Sequence, residues 1–128
     1  MEGRFRLGRS GSGNVPYTGL LIDDDARTIG VGLSGTAIGF VNGALTGFLA
    51  GGTVTMTTSA NRIYQLRKFG SDSAQIWADG SRVLSRSYAQ FDASTQPLSS
   101  FVGFGSIAPR GASAADDYVN YVIGQPTP

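Results

Sequence analysis

The chain has 128 residues, which is enough for one domain with a hydrophobic core and too few for two ordinary domains. Only 15% of the residues are charged and the net charge is +1, so a general polyanion-binding protein is not expected. The absence of cysteine and histidine excludes disulfides, thiolate or imidazole metal sites, and Ser-His-Asp or Cys-His catalysis. Glycine, at 19 residues, is abundant, and the composition indicates an all-β protein. No cofactor is expected.

The first 16 residues, MEGRFRLGRSGSGNVP, are predicted to form a short strand, GRFRL, and then a flexible arm. They contain no apolar stretch before a small-residue cleavage site, so a signal peptide is not expected. A detachable arm can add a strand to a neighbouring protein. The residues expected to act in this way are Arg4, Phe5, Arg6, Leu7 and Arg9. Residues 17–124 are predicted to form the domain, and residues 125–128 a polar tail.

An acidic turn follows, between YTGLLI and TIGVGL, which predict two strands of a hairpin around DDDAR. Asp23, Asp24 and Asp25 are interpreted as turn residues, because adjacent aspartates cannot all face one ion. Calcium binding by these carboxylates is the alternative.

Residues 29–51 carry no charge, and glycines recur at every fourth position from Gly35 to Gly51. This spacing is compatible with a membrane helix. However, each glycine costs a helix about 1 kcal/mol relative to alanine, and neither aromatic belts nor a basic cluster flank the segment. A period of four is also a multiple of two, with the odd positions from Leu33 to Leu49 as one apolar face. We therefore predict short β-strands and no membrane contact, with the helix as the alternative.

Further strands are predicted in TVTMTT (53–58), RIYQLRK (62–68), FVGFGSI and YVNYVIG. The clearest hairpin is AQIWADGSRVLSRSY, in which Asp79 and Gly80 fit a type I′ turn. Its two-residue loop pairs Ala78 with Ser81, Trp77 with Arg82, and Ile76 with Val83. Ile76 and Val83 are then expected to face the core. The residues expected on the opposite face are Gln75, Trp77, Arg82 and Leu84.

Scaffold motifs of the second half occur in a recognisable order. Tyr64, Leu66 and Lys68 form a Tyr-x-Leu-x-Lys element, Asp79-Gly80 a hairpin, Phe104-Gly105 a strand, and Asp117, Tyr118, Val119 and Tyr121 a final strand. Over residues 17–123 the order resembles that of concanavalin A-like lectin/glucanase (LamG-type) jelly rolls of bacteria and phages. The resemblance implies a two-sheet antiparallel jelly-roll sandwich with a concave face. Two features depart from the family: Asp116 stands where many members carry Trp, and family chains are commonly longer, which implies shortening at the N-terminus.

Hydrolysis of glycosides requires two positioned carboxylates, and Glu2 is the only glutamate. Most aspartates occur in predicted turns, so no catalytic residues are assigned and the protein is not expected to be an enzyme. Carbohydrate binding needs an aromatic platform with polar groups beside it. Trp77, Arg82 and Gln75 are the candidates, with Arg82 placed to stack on Trp77. The alternative is that Trp77 only packs against a neighbouring element.

The combined features predict a non-catalytic, lectin-like β-sandwich with a structural, assembly or surface-decoration role. A phage virion component, in the capsid decoration or the tail, is the favoured hypothesis, with self-copies or a larger shell or coat protein as partners and the virion or an extracellular surface as location. A glycan is a further candidate partner, whereas nucleic acid is not expected because the net charge is small. The alternative is a carbohydrate-binding module of a larger secreted or surface protein.

Overall fold

A computed structural model of the chain describes residues 2–7, 18–24, 26–44, 46–58, 60–94, 101–106 and 117–123. The described ranges contain ten β-strands and one 3₁₀ turn, Tyr88–Gln90. The strands are β1 (Glu2–Leu7), β2 (Thr18–Asp23), β3 (Thr28–Leu33), β4 (Ala37–Val41), β5 (Phe48–Thr55), β6 (Arg62–Phe69), β7 (Ser73–Ala78), β8 (Ser81–Ser87), β9 (Phe101–Ser106) and β10 (Asp117–Ile123).

These strands form two antiparallel sheets, which confirms the prediction of an all-β, two-sheet protein. The first sheet has the order β10-β1-β6-β7-β8, and the second has the order β5-β4-β3-β2-β9. The chain passes between the sheets after β1, β5, β8 and β9, as in a β-sandwich. Residues 8–17 and 124–128, which include the predicted flexible segment 8–16 and the predicted tail 125–128, lie outside the described residues.

The core consists of the inner faces of both sheets. In β6 and β7 buried residues alternate with more exposed ones, as expected for strands with one face against a core. Fully burying one aliphatic or aromatic side chain contributes about 1.5–3 kcal/mol. The core cluster consists of Leu20, Ile29, Val31, Leu33, Ile38, Phe40, Tyr64, Leu66, Ala74, Ile76, Ala78 and Phe91.

The uncharged segment 29–51 forms most of β3, all of β4 and part of β5, which confirms the prediction of β structure. No helix in the described part of the chain is long and apolar enough to span a membrane. The prediction that the odd positions form one apolar face is wrong beyond Leu33. Leu33 pairs with Ile38 across a turn in which Ser34 Oγ accepts a hydrogen bond from the N–H of Ala37. Because of this pairing, the residues that belong to the core cluster are at odd positions in β3 and at even positions in β4.

The N-terminal strand is an internal strand of the first sheet. β1 pairs with β10 on one side and with β6 on the other, so residues Arg4, Phe5, Arg6 and Leu7 have strand neighbours in their own chain. The predicted short strand at the N-terminus is thus part of a sheet of its own chain, and the role of these residues in assembly stays a prediction. Arg9 lies outside the described residues.

The hairpin of β7 and β8 has the predicted turn but a different register beyond it. Asp79 and Gly80 have φ angles of 49° and 82°, as a type I′ turn requires. The pairs Ala78–Ser81 and Trp77–Arg82 form as predicted, and the register then shifts so that Ile76 pairs with Leu84. The predicted Ile76–Val83 pair is therefore wrong. A bulge inserts Val83 as an extra residue, and Val83 and Leu84 both pack against the core.

Candidate functional site

The outer face of the first sheet gathers polar side chains around the single tryptophan. Gln65 in β6 pairs with Trp77 in β7, and Arg67 pairs with Gln75. Arg82 in β8 lies opposite Trp77 on its other side. Because side chains directly across antiparallel strands share a face, these residues form one continuous surface. We call it the Trp77 face, and it consists of Gln65, Arg67, Gln75, Trp77 and Arg82.

A series of contacts fixes the orientation of the indole ring. The half-buried Trp77 donates a hydrogen bond from Nε1 to Gln75 Oε1 at 2.9 Å. The guanidinium carbon of Arg67 lies 4.0 Å from the centroid of the ring, in a cation–π arrangement. Arg67 Nη2 donates to Gln65 Oε1 at 2.6 Å, and Gln65 Nε2 donates to the carboxylate of Glu2. The ring is therefore held from its nitrogen and from one of its flat faces.

The predicted carbohydrate-binding residues lie together on this face, but their contacts differ from the prediction. Gln75 contacts Trp77 directly, whereas Arg67 makes the stacking contact that was expected from Arg82. Gln65 and Arg67 were not among the site residues predicted from the sequence. The alternation of RIYQLRK already indicated that these two share the outer face of β6, and the short β6–β7 turn would have brought them beside β7.

The charge on the Trp77 face is predominantly positive. Arg67 and Arg82 are both exposed. Within the described part of the chain, the Arg82 guanidinium makes no hydrogen bond or salt bridge. Two carboxylates lie at the margins of the face: that of Glu2 accepts a hydrogen bond from Gln65, and that of Asp79 forms a 2.9 Å salt bridge with Arg62. The guanidinium of Arg67 therefore stacks on the ring of Trp77, and Arg82 adds a second positive charge on the adjacent strand.

The acidic turn after β2 serves the local structure. Asp24 Oδ1 accepts hydrogen bonds from the backbone N–H groups of Ala26 and Arg27, at 3.0 and 2.7 Å. This is the Asx-type turn that aspartate favours. The buried Asp23 accepts hydrogen bonds from the hydroxyls of Thr28 and Ser94, at 3.0 and 2.7 Å. The two carboxylates thus have different partners, and Asp25 lies outside the described residues.

Burial acts to raise the pKa of Asp24, but hydrogen bonds from Tyr88 and from the turn N–H groups, together with the Lys68 ammonium, lower it below its usual value. Tyr88 OH donates to Asp24 Oδ2 at 2.5 Å, and Lys68 Nζ lies 3.4 Å from the same oxygen. Since β6 and the turn after β8 belong to the first sheet, these contacts join it to the end of β2 in the second sheet. The contacts of Asp24 with Tyr88 and Lys68 therefore link the two sheets and have a structural role.

A shallow groove of about 580 Å³ lies at one end of the sandwich. It is lined by Gly35, Thr36, Thr55, Met56, Thr57 and Arg62. The guanidinium of Arg62 has internal partners, since Nη1 forms a 2.9 Å salt bridge with Asp79 and Nε donates to the Thr57 carbonyl at 3.0 Å. The charged group of this groove is therefore already engaged, unlike the guanidinium of Arg82 on the Trp77 face.

Comparison of the chain with protein-family models, with curated proteins and with solved structures gives no match. A functional proposal therefore depends on the chemistry of the Trp77 face and on the two-sheet fold.

Proposed function

We propose that the protein is a non-catalytic, lectin-like β-sandwich that binds glycans through the Trp77 face. The observation that supports this most strongly is the half-buried indole of Trp77, which is oriented by a hydrogen bond to Gln75 and stacks against the guanidinium of Arg67. Sugars pack their C–H faces against aromatic rings, while amides and guanidinium groups bond to their hydroxyls. The Trp77 face offers both kinds of group on adjacent strands.

We also propose that the sandwich is a jelly roll of the concanavalin A-like type. Its support is the order of motifs in residues 17–123, together with two five-stranded antiparallel sheets between which the chain passes four times. The first and last strands, β1 and β10, pair in the first sheet. This arrangement resembles a double-sheet jelly roll, in which the sheets exchange strands along the chain.

Binding without hydrolysis is proposed because the Trp77 face lacks the groups for acid–base chemistry. A glycosidase needs two carboxylates at a fixed separation. Glu2 is the one glutamate of the chain, and its carboxylate accepts a hydrogen bond from Gln65 at the margin of the face. Histidine, which could replace a carboxylate as the general base, does not occur in the sequence.

A glycan array probed with the wild-type protein and three variants tests the proposal. Trp77→Ala should lower the affinity for the bound glycan about tenfold, which corresponds to about 1.4 kcal/mol, and Trp77→Phe should retain part of the binding. Thr57→Ala, in the end groove, is the matched control and should bind like the wild type. If the wild type binds no glycan, or if Trp77→Ala binds as well as the wild type, the proposal is wrong.

A structural or assembly role, such as that of a phage capsid decoration or tail component, is a second candidate function. It is supported by the edge strand β5, which in the described part of the chain pairs only with β4 and exposes residues 50–53. Backbone groups along such an edge can pair with a strand of another copy or of a larger shell or coat protein. Sedimentation velocity should then show association that increases with concentration and is lost in Ala50→Glu. A monomer at all concentrations, with no shell partner, would argue against it.

A further inference from the structure

The stacked guanidinium of Arg67 restricts what can bind beside Trp77. It covers one face of the indole ring, with the guanidinium carbon 4.0 Å from the ring centroid. A neutral sugar that stacked on this face would have to displace this cation–π contact. A ligand that bonds to the guanidinium could instead bind with Arg67 in place.

Arg67 is well suited to bind an anion in this position. An arginine guanidinium has five N–H donors in a planar fork that matches the geometry of a carboxylate. One nitrogen, Nη2, donates to Gln65 Oε1 at 2.6 Å, so the side chain is oriented while donors remain. The exposure of Arg67 leaves the group accessible to a ligand.

A second arginine lies on the neighbouring strand on the other side of Trp77. Arg82 is opposite Trp77 in the register of β7 and β8, is exposed, and makes no hydrogen bond or salt bridge within the described ranges. The carboxylates of Glu2 and Asp79, which could offset this charge, have other partners, since Glu2 accepts from Gln65 and Asp79 forms a salt bridge with Arg62. The surface around Trp77 therefore combines an aromatic ring with two cations, and its charge is complementary to an anionic ligand.

We infer that the glycan bound at the Trp77 face is acidic and carries the carboxylate groups of uronic acid residues, which Arg67 and Arg82 bind on either side of Trp77. This inference rests on the proposed glycan-binding function. Two carboxylates on neighbouring or alternate sugar units would be bound by the two guanidinium groups, while the C–H face of a sugar packs against the exposed part of the indole.

Oligomers of galacturonic, glucuronic and mannuronic acid, each as the free acid and as the methyl ester, are the probes. Esterification removes the charge and keeps the sugar backbone. We expect isothermal titration calorimetry to show at least one free acid bound about tenfold more tightly than its ester. We also expect a loss of that preference in Arg67→Gln and Arg82→Gln, and weaker binding at high salt, because exposed charges are screened. Arg67→Lys should bind with intermediate affinity, because lysine keeps the charge but not the planar fork.

Ala44→Glu is the matched control, since it makes the same change in net charge at an exposed turn of the second sheet. It should bind like the wild type. Equal affinity for acid and ester, with unaltered binding by the arginine variants, would overturn the acidic ligand and leave glycan binding intact. The same conclusion follows if only neutral glycans of the array bind. If neither acidic nor neutral glycans bind, the inference and the proposed function both fail.

Discussion

The hydroxyl of Tyr88 donates a hydrogen bond to Asp24 Oδ2 at 2.5 Å and joins the two sheets at one end of the sandwich. Tyr88 follows β8 of the first sheet, and Asp24 follows β2 of the second. The hydrogen bond to Asp24 raises the pKa of Tyr88, and burial contributes in the same direction. The same contact helps to lower the pKa of Asp24. Each group therefore makes the stability of the fold depend on pH.

Tyr88→Phe should flatten this pH dependence at both ends. The lowered pKa of Asp24 contributes stability that is present above about pH 4 and is lost as the pH falls through the folded-state pKa. The raised pKa of Tyr88 contributes stability that is present below about pH 10 and is lost as the pH rises through the folded-state pKa. Urea unfolding over this pH range should show a smaller variation for Tyr88→Phe than for the wild type.

The exposed neighbour Ser87 provides the control, because Ser87→Ala should leave the pH profile of unfolding unchanged. Burial raises the pKa of Tyr64 to about 12. This tyrosine therefore adds a further loss of stability at alkaline pH, which is the same in all the variants. Superimposable profiles for Tyr88→Phe and the wild type would show that the contact with Asp24 does not couple the sheets.

Leu84→Ala should destabilise the protein by about 2 kcal/mol, since the bulge in β8 turns Leu84 towards the core, where it packs beside Ile76. Without the bulge Leu84 would lie on the outer face, and its truncation would be nearly neutral. Ser85→Ala, at the next and exposed position, should change the free energy of unfolding by less than about 0.5 kcal/mol. Chemical denaturation of the two variants distinguishes these registers, and equal stability would contradict the bulge.

Gly80→Val should cost about 1–3 kcal/mol of stability through backbone strain alone. Gly80 has a φ of 82°, and a Cβ added there would meet no atom within 4 Å. Gly80→Asn should cost less, because asparagine tolerates the left-handed region better than a β-branched residue does. The melting temperatures should therefore decrease in the order wild type, Asn, Val. A valine variant as stable as the asparagine variant would contradict the type I′ turn.

Gly19→Ala should be strongly destabilising, by about 3 kcal/mol, because the added Cβ would collide with the carbonyl oxygen of Val31. The obstacle is the backbone of the neighbouring strand β3, which cannot rotate away as a side chain could. Gly47→Ala is the control, since its Cβ would lie 3.6 Å from Asn42 Nδ2, in ordinary contact. If the two variants unfold at the same denaturant concentration, the close approach of β2 and β3 at Gly19 is wrong.

Much of the fold follows from local patterns in the sequence. Alternation identifies the inner residues of β6, Tyr64 and Leu66, because one face of each strand is buried. The turn at Asp79-Gly80 can be predicted because a type I′ turn requires positive φ at both positions, and Asp-Gly is one of the residue pairs that adopt it most readily. The β structure of residues 29–51 follows from their glycine content, which is unfavourable to a helix.

The features that the sequence did not specify depend on contacts between distant segments or on small irregularities. β1 lies between β6 and β10 because it pairs with strands that are distant from it in the sequence. Such long-range pairing produces no local sequence pattern from which it could be predicted. The bulge at Val83 inserts one residue without interrupting the strand pattern. The stacking of Arg67 on Trp77 requires the register of β6 and β7, which the turn at residues 70–72 sets.

The fluorescence of Trp77 provides the most direct test of glycan binding at this face, because it is the only tryptophan in the chain. Titration of the wild-type protein with the glycan that binds in the array should change the Trp77 emission. This change should saturate at the same ligand concentration as the heat measured by calorimetry. If calorimetry shows binding while the emission of Trp77 stays constant, the ligand binds elsewhere and the assignment of the Trp77 face is wrong.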